Sequence, residues 1–447
     1  MKKKSDDHNP FKKGVSGKTK DKIKESLRNS MKDGVAASIM TGAGDTYINP
    51  YAISLNASNT QISLLSSFPS LISSLFQIKA PKLMGKFRKR NYMVNLFVFI
   101  HSLMWIPIIL TPFLFPKNLA VWFLILFFTL SVTLNGLAGP AWASIMTDLV
   151  KEDNRAKFFG YRNKVTGFVN LIATLIAGYL LNLSSDYSKI AYGFVFIFSF
   201  ALLSRLVSWY YLSKMYEPNY KNNKINFRFK DFLNKINSPF GKFVLFYFLI
   251  TLGANIAGPF FSPYMLRDLS FSYLTYTLLV VFAALGNIIG MSFWGRHIDE
   301  YGSVKVLKAN GIFVAILPWL WLFSPSPYYL IFVQLLGGFS WAGFGLAGFN
   351  YIFSATLDKK AYYVAYFNAF AGAGAFIGAS IGGFLTTYFF SNLLILFFIS
   401  GLFRIISCFF MFNKLKEINV YKDIGSVDLF LEITGIGNVF EMIGLKR

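Results

Sequence analysis

The residue of this chain best placed to do chemistry is a carboxylate inside a long apolar run. Asp45 lies about ten residues into the stretch 35–54, beside Gly42 and Gly44. An ionised group at the centre of a membrane helix costs roughly 2.5–3.5 kcal/mol on insertion scales, so it marks a site that works or a group that is paired. Two readings stay open. Asp45 can bind a cation or an amine, or exchange a proton with solvent; alternatively it pairs with amide or backbone groups of a neighbouring helix and holds the bundle together. Asn49, Asn135, Asn255, Asn350 and Gln334 also sit in apolar stretches. Their amides offer donors and acceptors to an uncharged polar solute, or to an adjacent helix. Trp142 and Trp341 can wall a cavity or mark a membrane interface.

These residues need membrane-crossing helices to position them. The chain of 447 residues is 54% hydrophobic and only 15% charged, against about 25% charged in an ordinary soluble domain. Runs of about 20 apolar residues, enough to cross a hydrocarbon layer of roughly 30 Å, fall at 35–54, 60–78, 92–115, 119–142, 165–183, 190–212, 241–263, 270–294, 304–323, 327–350, 364–387 and 391–412. The class is therefore an all-α integral membrane protein of about twelve transmembrane helices. A net charge of +23 would suggest a nucleic-acid partner in a soluble protein. The placement of the charge argues against one: 39 of the 44 Lys and Arg lie in the two tails and every second loop. Lys117, Lys189 and Arg267 alone face the other side, and Arg205 and Arg404 lie inside spans. Basic loops favour the cytoplasmic side, so both termini are expected there, with an even number of spans in the cell or plasma membrane. The first 30 residues are polar and lack the apolar region of a cleavable signal. Gly14 to Thr19 has Lys12 where a phosphate loop needs glycine, and no strand leads into it. Cys408 is the only cysteine, and His8, His101 and His297 are scattered. No disulfide, metal site or cofactor is expected.

The two halves repeat each other. Gly44-Asp45-Thr46-Tyr47-Ile48-Asn49-Pro50-Tyr51 lines up with Gly253-Ala254-Asn255-Ile256-Ala257-Gly258-Pro259-Phe260, Arg205 to Ser208 with Arg404 to Ser407, and Asn135-Gly136 with Gly337-Gly338. Their common order argues for two parallel six-helix bundles. The expected organisation is a cytoplasmic tail 1–30, a bundle 31–213, a cytoplasmic linker 214–240, a second bundle 241–413 and a cytoplasmic tail 414–447.

After the eighth run comes Gly295-Arg296-His297-Ile298-Asp299-Glu300-Tyr301-Gly302, followed by Lys305. This resembles the loop signature of the major facilitator superfamily: Gly, three residues, Asp, two residues, Gly, then basic positions. Its first-half copy, Leu83 to Arg90, is degenerate and lacks the aspartate. Asp148 to Arg155, leading to Phe159-Gly160-Tyr161-Arg162, resembles the acidic-to-Arg segment of the family's fourth loop; Asp358 occupies the matching loop of the second half. The resemblance covers about residues 30–413. It implies a cytoplasmic gating role for Arg155, Gly295, Asp299 and Gly302. It also implies a central cavity lined by spans 1, 4, 7 and 10, with Asp45, Asn49, Asn135, Trp142, Asn255, Gln334, Trp341 and Asn350 as substrate-binding or coupling residues. Spans 3, 6 and 12 are peripheral in the family, which makes His101 a packed residue and Arg205 and Arg404 structural. Two departures stand out. Val132 replaces the arginine that proton-linked members often carry in span 4, and span 5 has no proline through Leu181.

The expected function is secondary transport by alternating access, moving a small solute between two six-helix halves within the lipid bilayer, with a proton or cation as a candidate coupling partner. No enzymatic activity is expected. The alternatives are a non-transporting receptor or scaffold of the same fold and, further off, an intramembrane lipid-modifying enzyme. The latter would need His, Asp or Glu clustered near one face, and the spans supply only Asp45 and His101.

Overall fold

The computed structural model describes residues 17–87, 89–186, 189–218, 237–355 and 360–418. The connector around 221–224, Asp358 and the tail beyond 418 lie outside the described residues. The helices are α1 (Gly17–Ala43), α2 (Ile48–Ser54), α3 (Asn59–Gln77), α4 (Ala80–Lys86), α5 (Arg90–Leu103), α6 (Trp105–Leu114), α7 (Lys117–Leu149), α8 (Glu152–Asp186) and α9 (Ile190–Ser213). They continue with α10 (Pro239–Ala257), α11 (Tyr273–Tyr301), α12 (Ser303–Leu320), α13 (Pro327–Ala355), α14 (Lys360–Tyr388) and α15 (Leu393–Met411). Among the described residues, ten helical segments are long and apolar enough to cross a membrane. The first two expected spans are not among the ten, for visible reasons. The first is helical from 17 to 54 but starts in the basic tail and is broken by a 3₁₀ turn at Asp45–Tyr47; the second, α3, carries six serines. Three of those serines turn back onto their own helix: Ser63, Ser67 and Ser74 donate to the carbonyls of Thr60, Ser63 and Leu71. The hydroxyls are thereby satisfied without water.

The break in the first span follows from Pro50, which has no N–H to give and whose ring crowds the carbonyl four residues before it. The repeat-related Pro259 sits in a second 3₁₀ turn, Gly258–Phe260. Sequence repetition thus reproduces the same local interruption twice.

The chain divides into two compact units. One contains residues 1–48 and 75–224, the other 49–74 and 225–447. The hairpin of α2 and the first part of α3 therefore groups with the second repeat, although the sequence assigns it to the first. Thr60 and Thr387 share a hydrogen bond of 2.8 Å, and the rings of Phe68 and Phe376 lie 6.0 Å apart. Glycines of α14 make this packing possible. A Cβ on Gly383 would meet the Ser63 hydroxyl at 2.5 Å, and one on Gly372 the Ser74 hydroxyl at 2.8 Å. On another side of α14, Gly374, Gly378 and Gly382 recur every four residues against the backbone of α10, the small-residue spacing that lets membrane helices approach closely.

In the first unit, the end of the bundle where α5 begins is tied by Arg90, which is 1% exposed. Its guanidinium pairs with Asp148 at 2.7 Å and Glu217 at 3.4 Å, and donates to Ser144. Glu217 in turn accepts the Arg90 and Asn91 backbone N–H groups, capping α5. The second unit repeats the device: Glu417 accepts the Val304 N–H at the start of α12. A carboxylate at a helix N-terminus satisfies an orphan donor and meets the positive end of the helix dipole. Burial pushes the Glu417 carboxyl above its ordinary range, and the Val304 N–H opposes that shift.

Gly302, at φ 90°, ends α11 and starts α12, a conformation that favours glycine. Within the second unit α11 and α13 cross at backbone contact. A Cβ on Gly338 would lie 1.8 Å from the Ala283 carbonyl oxygen, whereas Gly345 on the same helix has nothing within 4 Å. We expect Gly338→Ala to lower the stability of the detergent-solubilised protein by about 1–3 kcal/mol, the usual cost of overpacking. Gly345→Ala should leave the unfolding temperature unchanged or raise it.

Candidate functional site: a buried arginine network beside a cavity

Arg205 of α9 is 6% exposed and sits at the centre of a polar cluster inside the first unit. Its Nε donates to His101 Nδ1 at 2.9 Å, its Nη1 to the Ser208 hydroxyl at 3.0 Å and its Nη2 to Asn135 Oδ1 at 2.7 Å. A guanidinium has donors and no acceptor. His101 Nδ1 must therefore offer its lone pair, and the ring is neutral with its proton on Nε2. Ser208 passes the contact onward, donating to Asp33 Oδ1 at 2.7 Å. The other oxygen of Asp33 pairs with Arg162 Nη2 at 3.3 Å. Arg162 also donates to the Ser30 carbonyl and lies over the Trp142 ring, 4.7 Å from its centre.

Local sequence explains the convergence. Arg205 and Ser208 are three residues apart on α9, so they share a face. Asp33 and Asp45 belong to the first span, on either side of the close approach between α1 and α8. A Cβ on Gly42 would meet the Asn170 carbonyl at 2.6 Å. The turn carrying Asp45 is fixed to α8 by Tyr47, whose hydroxyl donates to the Thr174 carbonyl at 2.7 Å. Asp45 itself is half-buried and interacts electrostatically with Arg205. With both carboxylates ionised, Asp33 and Asp45 balance Arg162 and Arg205, and the cluster is neutral.

A cavity of about 210 Å³ opens beside this network. Asp33, Asn135, Arg162 and Arg205 form its polar wall; Val94, Val98, Ala138 and Trp142 are among the apolar lining. Its contents can therefore meet charge and amide on one side and an aromatic surface on the other. Trp142 Nε1 is buried without a hydrogen-bond partner among the described residues. Among those residues, no group of three or more His, Cys, Asp or Glu side chains could hold a metal ion.

Of the residues proposed from sequence, Asn135 and Trp142 line this cavity, and Asp45 lies within electrostatic reach without lining it. The others lie elsewhere. Asn49 donates to Ser66, and Asn255 turns back to the Thr251 carbonyl of its own helix. Trp341 meets Phe344 edge-on, one turn along α13, and Gln334 and Asn350 are half-buried on that helix. Arg155 donates to the Thr147 and Val150 carbonyls, closing the end of α7. Gly295 packs loosely against Leu346, and Asp299 is exposed.

Sequence analysis did not single out Asp33, just before the first apolar run, and expected Arg205 and His101 to be structural; the structure joins all three in one network. The repeat shows how the two halves differ here. Arg404, the counterpart of Arg205, donates to the Val314 and Ala254 carbonyls and to Ser400. Ala254 aligns with Asp45, so a backbone carbonyl in one half stands where a carboxylate stands in the other.

The sequence profile of the Major Facilitator Superfamily matches residues 35–240 and 243–427. The chain is 26% identical over 307 residues to the proton-coupled antiporter flippase LtaA of Staphylococcus saprophyticus subsp. saprophyticus, covering 62% of this chain and 72% of that one. The LtaA of Staphylococcus aureus (strain USA300) is 25% identical over 287 residues, covering 60% and 68%. Among solved structures, a D-xylose-proton symporter superimposes with a TM-score of 0.64 at 13% identity, covering 89% of this chain and 98% of that one. The nucleoside transporter NupG superimposes with a TM-score of 0.60 at 12% identity, covering 89% and 100%. At such identities these two likenesses are of fold alone. The match to the family profile runs through both repeats, and the chain is a member of the major facilitator superfamily of membrane transporters.

Proposed function

We propose that the protein is a proton-coupled secondary carrier, with both termini cytoplasmic, and that the Asp33–Arg205 network is its coupling site. The observation that carries this reading is the charge arrangement beside the 210 Å³ cavity: two arginines balanced by two carboxylates, all drawn from membrane helices. A proton taken up by Asp33 or Asp45 leaves the cluster with one net positive charge in a low-dielectric setting. That charge is costly unless an anion, a polarisable hydroxyl-rich group or water compensates it. Proton load and cavity occupancy are thereby linked. Ser208 conveys the state of Asp33 to Arg205, and Asn135 and His101 fix the guanidinium plane.

The cargo class that fits is a small polar group of acceptor character, resting against Arg162, Arg205 and the Trp142 ring. Two curated relatives bear the name of a flippase, and the apolar half of the cavity suits a polar group carried on a lipid. A lipid-linked cargo is therefore the second reading. Alternating access also requires the seam between residues 49–74 and α14 to part, since that hairpin belongs to the first repeat.

Purified protein in liposomes under an imposed pH gradient tests the coupling. The panel would contain sugars, nucleosides, amino acids, organic anions and fluorescent lipids. At least one is expected to drive proton movement in the wild type. Asp33→Asn and Arg205→Gln should reduce that movement at least about tenfold, equivalent to about 1.4 kcal/mol. Flux whose pH dependence survives Asp33→Asn would move coupling elsewhere; no flux with any member would favour a receptor or scaffold. The seam has its own test. Cys408 is buried, so Thr60→Cys with Thr387→Cys places one reactive pair in a quiet background. Oxidation should stop transport and reductant restore it, whereas an oxidised pair that transports at the reduced rate would refute a moving seam.

A further inference from the structure

A second set of cavities lies on the outside of the first unit, away from the arginine network. A groove of about 200 Å³ runs between α1, α8 and α9. Its floor is made of buried small and branched side chains: Ala43, Ala173, Ala177 at 2% exposure and Ile197 at 1%. Its rims are exposed: Ile176 at 54%, Phe196 at 60% and Phe200 at 50%. The lining from Val169 to Leu180 spans twelve residues of α8, about 16 Å from first to last at 1.5 Å rise per residue. That is about half of a 30 Å hydrocarbon layer, the depth of one leaflet.

At one end the groove runs into a wider cavity, with Leu180 and Phe196 lining both. Here the chemistry changes. Ser184, Lys189 and Tyr192 line the wider space. Lys189 is exposed, precedes the first residue of the 24-residue α9, and makes no ion pair among the described residues. A lysine ammonium beside the positive end of a helix selects a negative group. Its long side chain can reach up to the headgroup layer.

We propose that the α1–α8–α9 groove and the Lys189 cavity together form a binding site for one anionic phospholipid, with an acyl chain in the apolar groove and the headgroup phosphate on Lys189. The groove is one leaflet deep, carries no charged side chain along its length, and ends at a cation. These three properties match one acyl chain, its interfacial region and its phosphate in order. A neutral lipid would fill the groove equally and gain less at Lys189. The site is separate from the 210 Å³ cavity, whose lining it does not share.

Native mass spectrometry of the full chain, incubated with equal amounts of phosphatidylglycerol and phosphatidylcholine, tests the assignment. Lys189→Gln is expected to lower the ratio of retained phosphatidylglycerol to phosphatidylcholine about fivefold, the effect of one lysine near an anionic headgroup. Lys117→Gln, which removes another basic residue expected on the same side, should leave the ratio unchanged. Thermal unfolding distinguishes the lipid from its headgroup: long-chain phosphatidylglycerol should raise the unfolding temperature, and glycerol phosphate at equal concentration should not. An unchanged ratio in Lys189→Gln overturns the proposal, as does an equal loss in both variants. Stabilisation by glycerol phosphate matching that of the lipid would instead assign the site to a free phosphate.

Discussion

A guanidinium withdrawn from water constrains the whole first unit. Arg205 is always charged, and inside the membrane its donors need protein partners in place of water. Ser208 on its own helix supplies one, and the others come from neighbouring helices. His101 reaches it from α5, Asn135 from α7 and Asp33 from α1 through Ser208, while Arg162 of α8 holds the far oxygen of Asp33. Five helices are thereby pinned to one charge. The same contacts that hold them together are titratable or amide groups facing a cavity, so packing and chemistry depend on the same side chains.

The two repeats solve one problem in different ways. Arg404 occupies the place of Arg205 but is satisfied by the Val314 and Ala254 carbonyls and by Ser400. Val314 lies four residues before Pro318, which has no N–H to give it, and the Ala254 carbonyl accepts from both the Gly258 N–H and Arg404. In the second half backbone groups therefore serve the arginine directly. In the first half Asp45 stands at the corresponding position, and the arginine depends on side chains that can change protonation. One half thus satisfies its arginine with two backbone carbonyls and a hydroxyl, the other with the side chains of His101, Asn135 and Ser208. The Glu217 and Glu417 carboxylates, by contrast, both cap the start of a helix, Glu217 also pairing with the Arg90 guanidinium.

Much of this was legible in the residues. Apolar runs mark the ten helices of membrane length found among the described residues, because hydropathy acts at the scale of a whole helix. The repeat gives the two-half organisation, and the Gly302 turn follows from its glycine. What the sequence could not convey is which polar side chains meet. Asp33 looked like the edge of a basic tail because the helix extends well before its apolar part, to Gly17. Arg205 looked peripheral because span number alone says nothing of which face points inward. Asn135 and Trp142 were identified by their depth and type, and the structure brings both to the cavity; Asn49 and Asn255, chosen by the same reasoning, bond locally instead. Residues 49–74 part company with their own repeat because the glycines of α14 offer α3 a closer surface. Such pairings depend on packing hundreds of residues apart, which no local pattern records.

The central claim is that Asp33 and Arg205 act as one unit in coupling protons to cargo. A double-mutant cycle on the pH dependence of flux, comparing Asp33→Asn, Arg205→Gln and the double variant in liposomes, addresses it most directly. If the two residues form one device, the double variant will lose no more pH dependence than either single variant, leaving a large interaction energy between them. Losses that add independently would contradict the account and separate the buried network from the coupling of transport.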